Sequence, residues 1–178
     1  LLLGGGALLL ALLLAFALAI PAALKPGSGL DRALGWLAIS LTAIPGYVTG
    51  PILALVFALW LGWLPVAGTG SALHWILPVI ALALPYGGAC ARLLRTALAR
   101  ELAQDHVLTA RARGLSPAAI LARHALRPAM IPVASWLAPT AAGLLTGAVV
   151  IETVFGLPGL GRYFVQGALN RDYPLVLG

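Results

Sequence analysis

The sequence predicts an all-α protein, a polytopic bundle of transmembrane helices. Of its 178 residues, 61% are hydrophobic and 9% are charged, and the mean hydropathy is +1.01, which lies outside the range of soluble domains. Residues 1–24, 33–91 and 128–151 contain no Lys, Arg, Asp or Glu. Because about 20 apolar residues cross the roughly 30 Å hydrocarbon layer as a helix, these stretches predict several membrane spans.

The boundaries of the spans follow from the segments that break helices. Residues 25–32 contain the Pro, Gly and Ser that end a first span. The uncharged stretch after them is too long for one helix, and the Gly- and Pro-containing residues 61–73 divide it. The first apolar run is too long for a signal peptide and has no basic start, so we expect it to remain in the membrane. The predicted spans are 1–24, 33–60, 74–91 and 129–151, and a last one starts near Pro174.

The distribution of positive charge predicts the orientation. Lys25 and Arg32 flank the first loop, seven arginines lie between residues 92 and 127, and residues 61–73 contain no basic residue. Because short cytoplasmic loops carry the excess of Lys and Arg, we expect 25–32 and 92–128 in the cytoplasm and 61–73 outside. This places residue 1 outside. Because the chain starts outside without a signal peptide, we expect at least one earlier span to precede it, and the lack of an initial Met also indicates a fragment. Topology and contact with anionic membrane lipid account for the basic charge, so we expect no nucleic-acid partner.

The loop 92–128 contains signals for a helix of its own. Ser116 is a good N-cap and Pro117 suits the first helical position, so a short cytoplasmic helix is predicted from Pro117 to about His124. Gly114 permits a sharp turn just before it. Upstream, a helix is predicted to continue from the preceding span to Arg113. The loop is therefore either a docking surface or an arginine belt that only serves topology.

The residue inventory excludes several activities. The predicted spans contain no Lys, Arg, Asp or Glu that could relay protons at membrane depth, although sodium-coupled carriers can use backbone carbonyls. His74, His106 and His124 lack the spacing of a metal or hydrolase site, and no G-x4-G-K-[ST] phosphate-binding motif occurs. We therefore expect neither a catalytic residue, nor a metal, nor an ATPase site in this chain. Cys90 is expected to be a small buried hydrophobe.

Four segments carry a resemblance to a known family. Leu108-Thr-Ala-Arg-Ala-Arg-Gly114, followed by His124-Ala-Leu126, is similar to the cytoplasmic signature of ABC-importer permeases, with Leu and Arg in place of the usual Glu and Pro. Those departures, together with GAVVIETVFGLPGLGRYF (147–164) and RDYPLVLG (171–178), resemble the dipeptide/oligopeptide/nickel permeases. The ending is similar to the first of the two permease subunits in that family.

The resemblance implies the fold of a type I ABC importer permease and a transmembrane subunit that moves peptides or a related small solute across the prokaryotic inner membrane. The implied partners are a homologous second permease, two ATPase subunits that bind the ATP, and an extracytoplasmic substrate-binding protein. No cofactor is expected in this chain. The short helix after Gly114 would sit in a groove on the ATPase. The small residues that fit its contact face are Ala110, Ala112, Gly114, Ala118, Ala119 and Ala122. The implied coupling residues are Thr109, Ala110, Arg113, Gly114, Leu115, Ser116, Pro117, His124 and Leu126.

Two alternatives remain at this point. Glu152, the acid that borders the span 129–151, is predicted either to line the translocation path or to be an interfacial carboxylate without a ligand. The whole chain could alternatively be a subunit of a secondary transporter or channel, in which the arginine-rich loop only sets the topology.

Overall fold

The structure of the chain is a computed structural model, and it describes residues 2–159, 167, 169 and 170. Within this part, every regular element is helical, as the sequence predicts. The elements are α1 (Leu2–Leu24), α2 (Gly29–Ala43), α3 (Gly46–Leu53), a π-helical segment (Ala54–Trp60), a 3-10 turn (Ala72–Trp75), α4 (Ile76–Leu102), α5 (Asp105–Ala112), α6 (Pro117–Ile120), a second π-helical segment (Leu121–Ala125) and α7 (Leu126–Val154). The span predicted near Pro174 lies outside the described residues.

Three continuous helical stretches in the described residues are long and apolar enough to cross a membrane: Leu2–Leu24, Ala72–Leu102 and Pro117–Val154. The pair Gly29–Ala43 and Gly46–Trp60 would make a fourth if it counts as one broken span. The single helix expected over 33–60 is interrupted at Ile44 and Pro45. Steric conflict with a following proline disfavours the helical conformation at Ile44, and Pro45 takes an extended conformation as the N-cap of α3.

The loop 92–128 differs from its prediction in two places. The helix leaving the membrane ends at Leu102, and α5 starts after Gln104 with extended backbone at that residue. The helix that starts at Pro117 does not stop near His124 but runs without a break into α7. A π-helical hydrogen bond from the Leu126 N–H to the Leu121 carbonyl lies just before Pro128. Such a turn accommodates a proline, which cannot donate to the carbonyl four residues earlier.

The described chain divides into two compact units. The first contains residues 2–10, 44–85 and those from 141 onward, and the second contains residues 11–43 and 86–140. The core of the second unit is rich in small side chains, which allow helices to approach closely. Its buried members include Ala19, Ala38, Cys90, Leu94, Leu98, Ala129 and Val133. Cys90 is 1% exposed and not disulfide-bonded, so the prediction of a small buried hydrophobe is confirmed.

Two adjacent glycines on α4 lie in close contact with neighbouring helices of the second unit. A Cβ at Gly88 would lie 2.5 Å from the Ala38 carbonyl oxygen, and a Cβ at Gly87 would lie 3.2 Å from Cβ of Leu14. The absence of a side chain at these positions therefore lets α4 pack directly on α1 and α2.

The core of the first unit is formed where the end of α7 meets other elements. Phe155 and Leu157 are each 1% exposed, and the Phe155 ring lies 3.2 Å from where a Cβ of Gly50 would be. The Gly68 N–H donates to the Phe155 carbonyl at 3.4 Å. Phe155 and Leu157, which directly follow α7, are thus packed into this unit.

Candidate functional site

The end of α5 is built around Gly114. This residue has φ +76°, its N–H donates to the Arg111 carbonyl at 2.9 Å, and the Leu115 N–H donates to the Ala110 carbonyl at 3.2 Å. This pair of hydrogen bonds is the Schellman motif, which closes a helix with a left-handed residue. The sharp turn predicted at Gly114 is confirmed, and the left-handed backbone conformation of this glycine produces it.

The following helix begins where the sequence predicts. Ser116 has extended backbone (φ −66°, ψ 151°), its Oγ accepts a hydrogen bond from the Ala119 N–H, and Pro117 occupies the start of α6. The donor and acceptor are 3.3 Å apart. Gly114 and Ser116 therefore stop one helix and start the next within three residues.

A small hydrophobic cluster fixes α5 against α6. We call it the loop cluster: Val107, Ala110 and Ile120, exposed by 0%, 4% and 3%, with Leu102 and Leu115 packed against them. Ala110 lies inside this cluster and not on an exposed face, which differs from the contact face that the sequence predicts for it. Its carbonyl accepts the hydrogen bond from the Leu115 N–H that closes the turn at Gly114.

The opposite side of the turn is exposed. We call it the outer face: Thr109, Ala112, Gly114, Ser116, Pro117 and Ala118. Nothing lies within 4 Å of where a Cβ of Gly114 would be, and Arg111 and Arg113 are also exposed. The hydroxyl of Thr109 donates to the Asp105 carbonyl at 3.0 Å. The outer face is thus a rigid surface of small side chains next to arginines.

A hydrogen bond that the sequence does not predict joins α5 to the start of the long helix. His106 Nε2 lies 3.1 Å from the His124 carbonyl oxygen. In an α-helix that carbonyl would accept from residue 128, but Pro128 has no N–H. The proline thus leaves an acceptor available, and His106 satisfies it. No periodicity or motif indicates this pairing, because it depends on the fold of the loop.

Leu126 has a different place from the other predicted coupling residues. It is half-buried and packs against the core of the second unit, in which Ala125 is 0% exposed. Its side chain therefore anchors the start of α7 and is not part of the outer face.

An ion pair connects the first loop to α4. Arg95 contacts Asp31 through two hydrogen bonds, one of them from Nε to Oδ1 at 3.0 Å, and the other from Nη2 to Oδ2. The Gly27 N–H donates to Oδ2 of Asp31 at 2.8 Å. Sequence reasoning missed this pair, although Asp31 is the one acid of the loop 25–32. The contact brings Asp31 against α4, and the cytoplasmic location of both segments stays a prediction.

Glu152 lies in the first unit, near the end of α7. The Leu157 N–H donates to its carbonyl at 2.8 Å, and the Gly156 N–H donates to the Thr153 carbonyl at 3.3 Å. With φ +61° at Gly156, this is a second Schellman motif. The Glu152 carboxylate lies directly against Gly159, where a Cβ would overlap it. Its place in a translocation path stays a prediction.

A helical chain with several potential membrane-crossing stretches and an exposed, rigidly capped turn between two of them defines a class, the multi-pass membrane proteins. Comparison with known families makes this specific. The family model described as "Binding-protein-dependent transport system inner membrane component" matches residues 11–178. The chain therefore belongs to this family of bacterial inner-membrane transport proteins.

The relatives named below are peptide permeases. The chain is 45% identical over 177 residues to the oligopeptide transport system permease protein OppB of Escherichia coli (strain K12), covering 98% of this chain and 58% of the relative. It is 40% identical over 176 residues to the dipeptide transport system permease protein DppB of Bacillus subtilis (strain 168), covering 99% of this chain and 57% of the relative. The chain thus spans somewhat more than half the length of these curated relatives.

Proposed function

We propose that this chain is the transmembrane subunit of an ATP-driven importer that moves peptides, or a related small solute, across the cytoplasmic membrane. Membership in the binding-protein-dependent family supports the transport role, and the names of the relatives support the peptide class. The structural observation that carries the proposal is the outer face, an exposed turn held rigid by two helix caps and the loop cluster.

The proposed coupling has a simple mechanical basis. Thr109, Arg113, Gly114, Ser116 and Pro117 would contact an ATPase subunit at or beside the outer face. α6 continues without a break through Pro117–Val154, a stretch long enough to cross a membrane. A displacement of the outer face would therefore move a membrane helix instead of bending a flexible loop.

The remaining predicted coupling residues would act from beneath that surface. Ala110 and Leu115 hold the turn through the loop cluster. The His124 carbonyl ties α5 to the long helix through His106, and Leu126 anchors the start of α7. These four are positioning residues in the proposal. Their substitution would weaken the support of the outer face without removing an atom that contacts the ATPase.

In this proposal, ATPase subunits that associate with the chain supply the energy for transport. The sequence has no G-x4-G-K-[ST] motif that could cradle ATP phosphates, so ATP would bind to two associated ATPase subunits. A homologous second permease would complete the pathway, and an extracytoplasmic binding protein would deliver the cargo.

The test is assembly and energetics of the full-length permease. We expect it to purify together with an ATPase subunit, and we expect uptake into reconstituted vesicles with ATP but not with a non-hydrolysable analogue. Uptake that needs no ATPase partner and follows an ion gradient would instead identify a secondary transporter.

Glu152 can be tested separately. If it lines the path, Glu152→Gln lowers uptake of amine-bearing peptides while assembly is unchanged. Because its carboxylate lies against Gly159, the alternative is a role in the turn, which predicts lower thermal stability and unaltered peptide preference.

A further inference from the structure

A cavity of about 340 Å³ opens in the second unit, bounded by α1, α2 and α4. Its charged lining consists of Asp31, Arg32, Arg92 and Arg95, and its apolar lining includes Leu18, Ala38 and Ile39. We propose that this cavity binds an anionic membrane phospholipid, with the phosphodiester held by Arg32 and Arg92 and the beginning of an acyl chain on the apolar wall.

The charges favour an anion. Three guanidinium groups and one carboxylate line the cavity, which leaves a net charge of +2. Asp31 does not neutralise the other two arginines, because its oxygens already accept hydrogen bonds from Arg95 and from the Gly27 N–H. Within the described part of the chain, neither Arg32 nor Arg92 forms an ion pair with a carboxylate. Both can therefore hold a phosphate oxygen.

The polarity changes along the cavity. On α2 the lining runs from Arg32 to Ile39, seven residues that correspond to about 10 Å along a helix. Leu18 is one turn from Ala22 on α1, in the direction away from the charged loop. A phosphate ion would use only the charged end, whereas a lipid uses both ends.

The depth also fits a lipid. Arg92 is the first charged residue after the uncharged stretch 33–91, and Arg32 is the last charged residue before it. Both lie at the predicted cytoplasmic boundary of the membrane, where anionic head groups create a negative surface potential. An arginine belt that only serves topology would require no cavity with an apolar wall.

The experiment measures lipid retention by the purified full-length permease with native mass spectrometry. Phosphatidylglycerol and phosphatidylcholine with identical acyl chains are offered together. We expect one retained phosphatidylglycerol, with a preference of about tenfold that the Arg32→Gln/Arg92→Gln pair abolishes. Arg123→Gln, which removes an exposed arginine outside the cavity, should retain the preference.

A second variant fills the cavity without changing its charge. Gly35 lines the cavity, and a Cβ there would meet no atom within 4 Å, so Gly35→Leu adds a side chain in open space and should displace the lipid. It also removes a helix-interior glycine, which favours folding. If the arginine pair does not fold, as judged by circular dichroism, Gly35→Leu decides the question.

Three results would overturn the proposal. Equal retention of both lipids would show that charge plays no part. Equal loss in Arg123→Gln would assign the preference to the overall charge of the loop. Displacement of the bound lipid by inorganic phosphate at millimolar concentration would show a simple anion site.

Discussion

Two helices of this chain end in the same backbone motif but in different surroundings. α5 ends at Gly114 and α7 ends at Gly156, each with positive φ and the same pair of hydrogen bonds. At Gly156 the next residue, Leu157, is 1% exposed, and the Ala67 Cβ lies 3.9 Å from a Cβ built on the glycine. At Gly114 nothing lies within 4 Å. One motif thus closes a packed core, and the other presents an exposed surface.

The two surroundings give the same positive-φ glycine cap two different roles. Where the residues on both sides of the capping glycine are buried in the core of the unit, as Phe155 and Leu157 are, substitution should lower stability. Where the capping glycine lies in an exposed turn, as Gly114 does, substitution should change what the turn contacts. The predictions below are arranged from the largest expected effect to the smallest.

The largest effect is expected at the leucine that follows each glycine. Leu157→Ala should lower the free energy of unfolding by about 2–5 kcal/mol, because it leaves a cavity in a closed core. Leu115→Ala, at the half-buried edge of the loop cluster, should cost about 1–2 kcal/mol. Thermal unfolding of the purified permease measures both.

Leu108→Ala is the matched control for the leucine pair. Leu108 is 53% exposed, so its truncation should change stability by less than about 0.5 kcal/mol. If Leu115→Ala destabilised as much as Leu157→Ala, the two helix ends would not differ in packing.

The second prediction concerns the glycines themselves. Val at either position should cost on the order of 1–3 kcal/mol through backbone strain. For Gly156→Val we expect a lower yield of folded protein. For Gly114→Val we expect normal assembly, but ATPase activity that is no longer linked to uptake. Because space is open around Gly114, Gly114→Ala should be nearly as harmful, and Gly114→Asn milder.

Gly5→Ala is the control for this series, since Gly5 is exposed within α1, has no positive φ and has open space around it. Substrate-stimulated ATPase activity and uptake are measured together in vesicles. If ATPase activity and uptake stayed coupled in Gly114→Val, the loop 92–128 would serve only the topology of the chain.

The smallest effect is expected at Ser116, the N-cap of α6. Ser116→Ala removes the hydroxyl that accepts from the Ala119 N–H, which costs about 1 kcal/mol. We expect uptake to fall a few-fold at unchanged expression. Ser135→Ala removes a hydroxyl that bonds only to a carbonyl of its own helix, and it should leave uptake at the wild-type rate.

The parts of the fold that sequence reasoning captured are those with local causes. Ser116 and Pro117 start a helix by their own chemistry, and Gly114 allows a turn because it lacks a Cβ. The interruption at Ile44 also has a local signal, the proline that follows it, although the single span expected over 33–60 runs through this position. A residue that precedes proline is disfavoured in a helix, and this rule indicates an interruption at Ile44 from the sequence alone.

The rest depends on distant parts of the chain. No Gly or Pro marks the break after Leu102, which lets Val107 and Ala110 pack against Ile120. Asp31 and Arg95 are 64 positions apart in sequence, and Gly88 reveals its role only where α4 meets the Ala38 carbonyl. The exclusion of Ala110 from the outer face has the same origin, because a helix of alanines does not show in sequence which of them is covered.

The hydrogen bond between His106 and His124 also constrains proton placement. A carbonyl oxygen can only accept, so Nε2 of His106 must carry the hydrogen. The neutral tautomer with hydrogen on Nε2 meets this condition, and so does the imidazolium, whereas the other neutral tautomer does not. The link between α5 and the long helix therefore fixes both the orientation of the His106 ring and the tautomer of its neutral form.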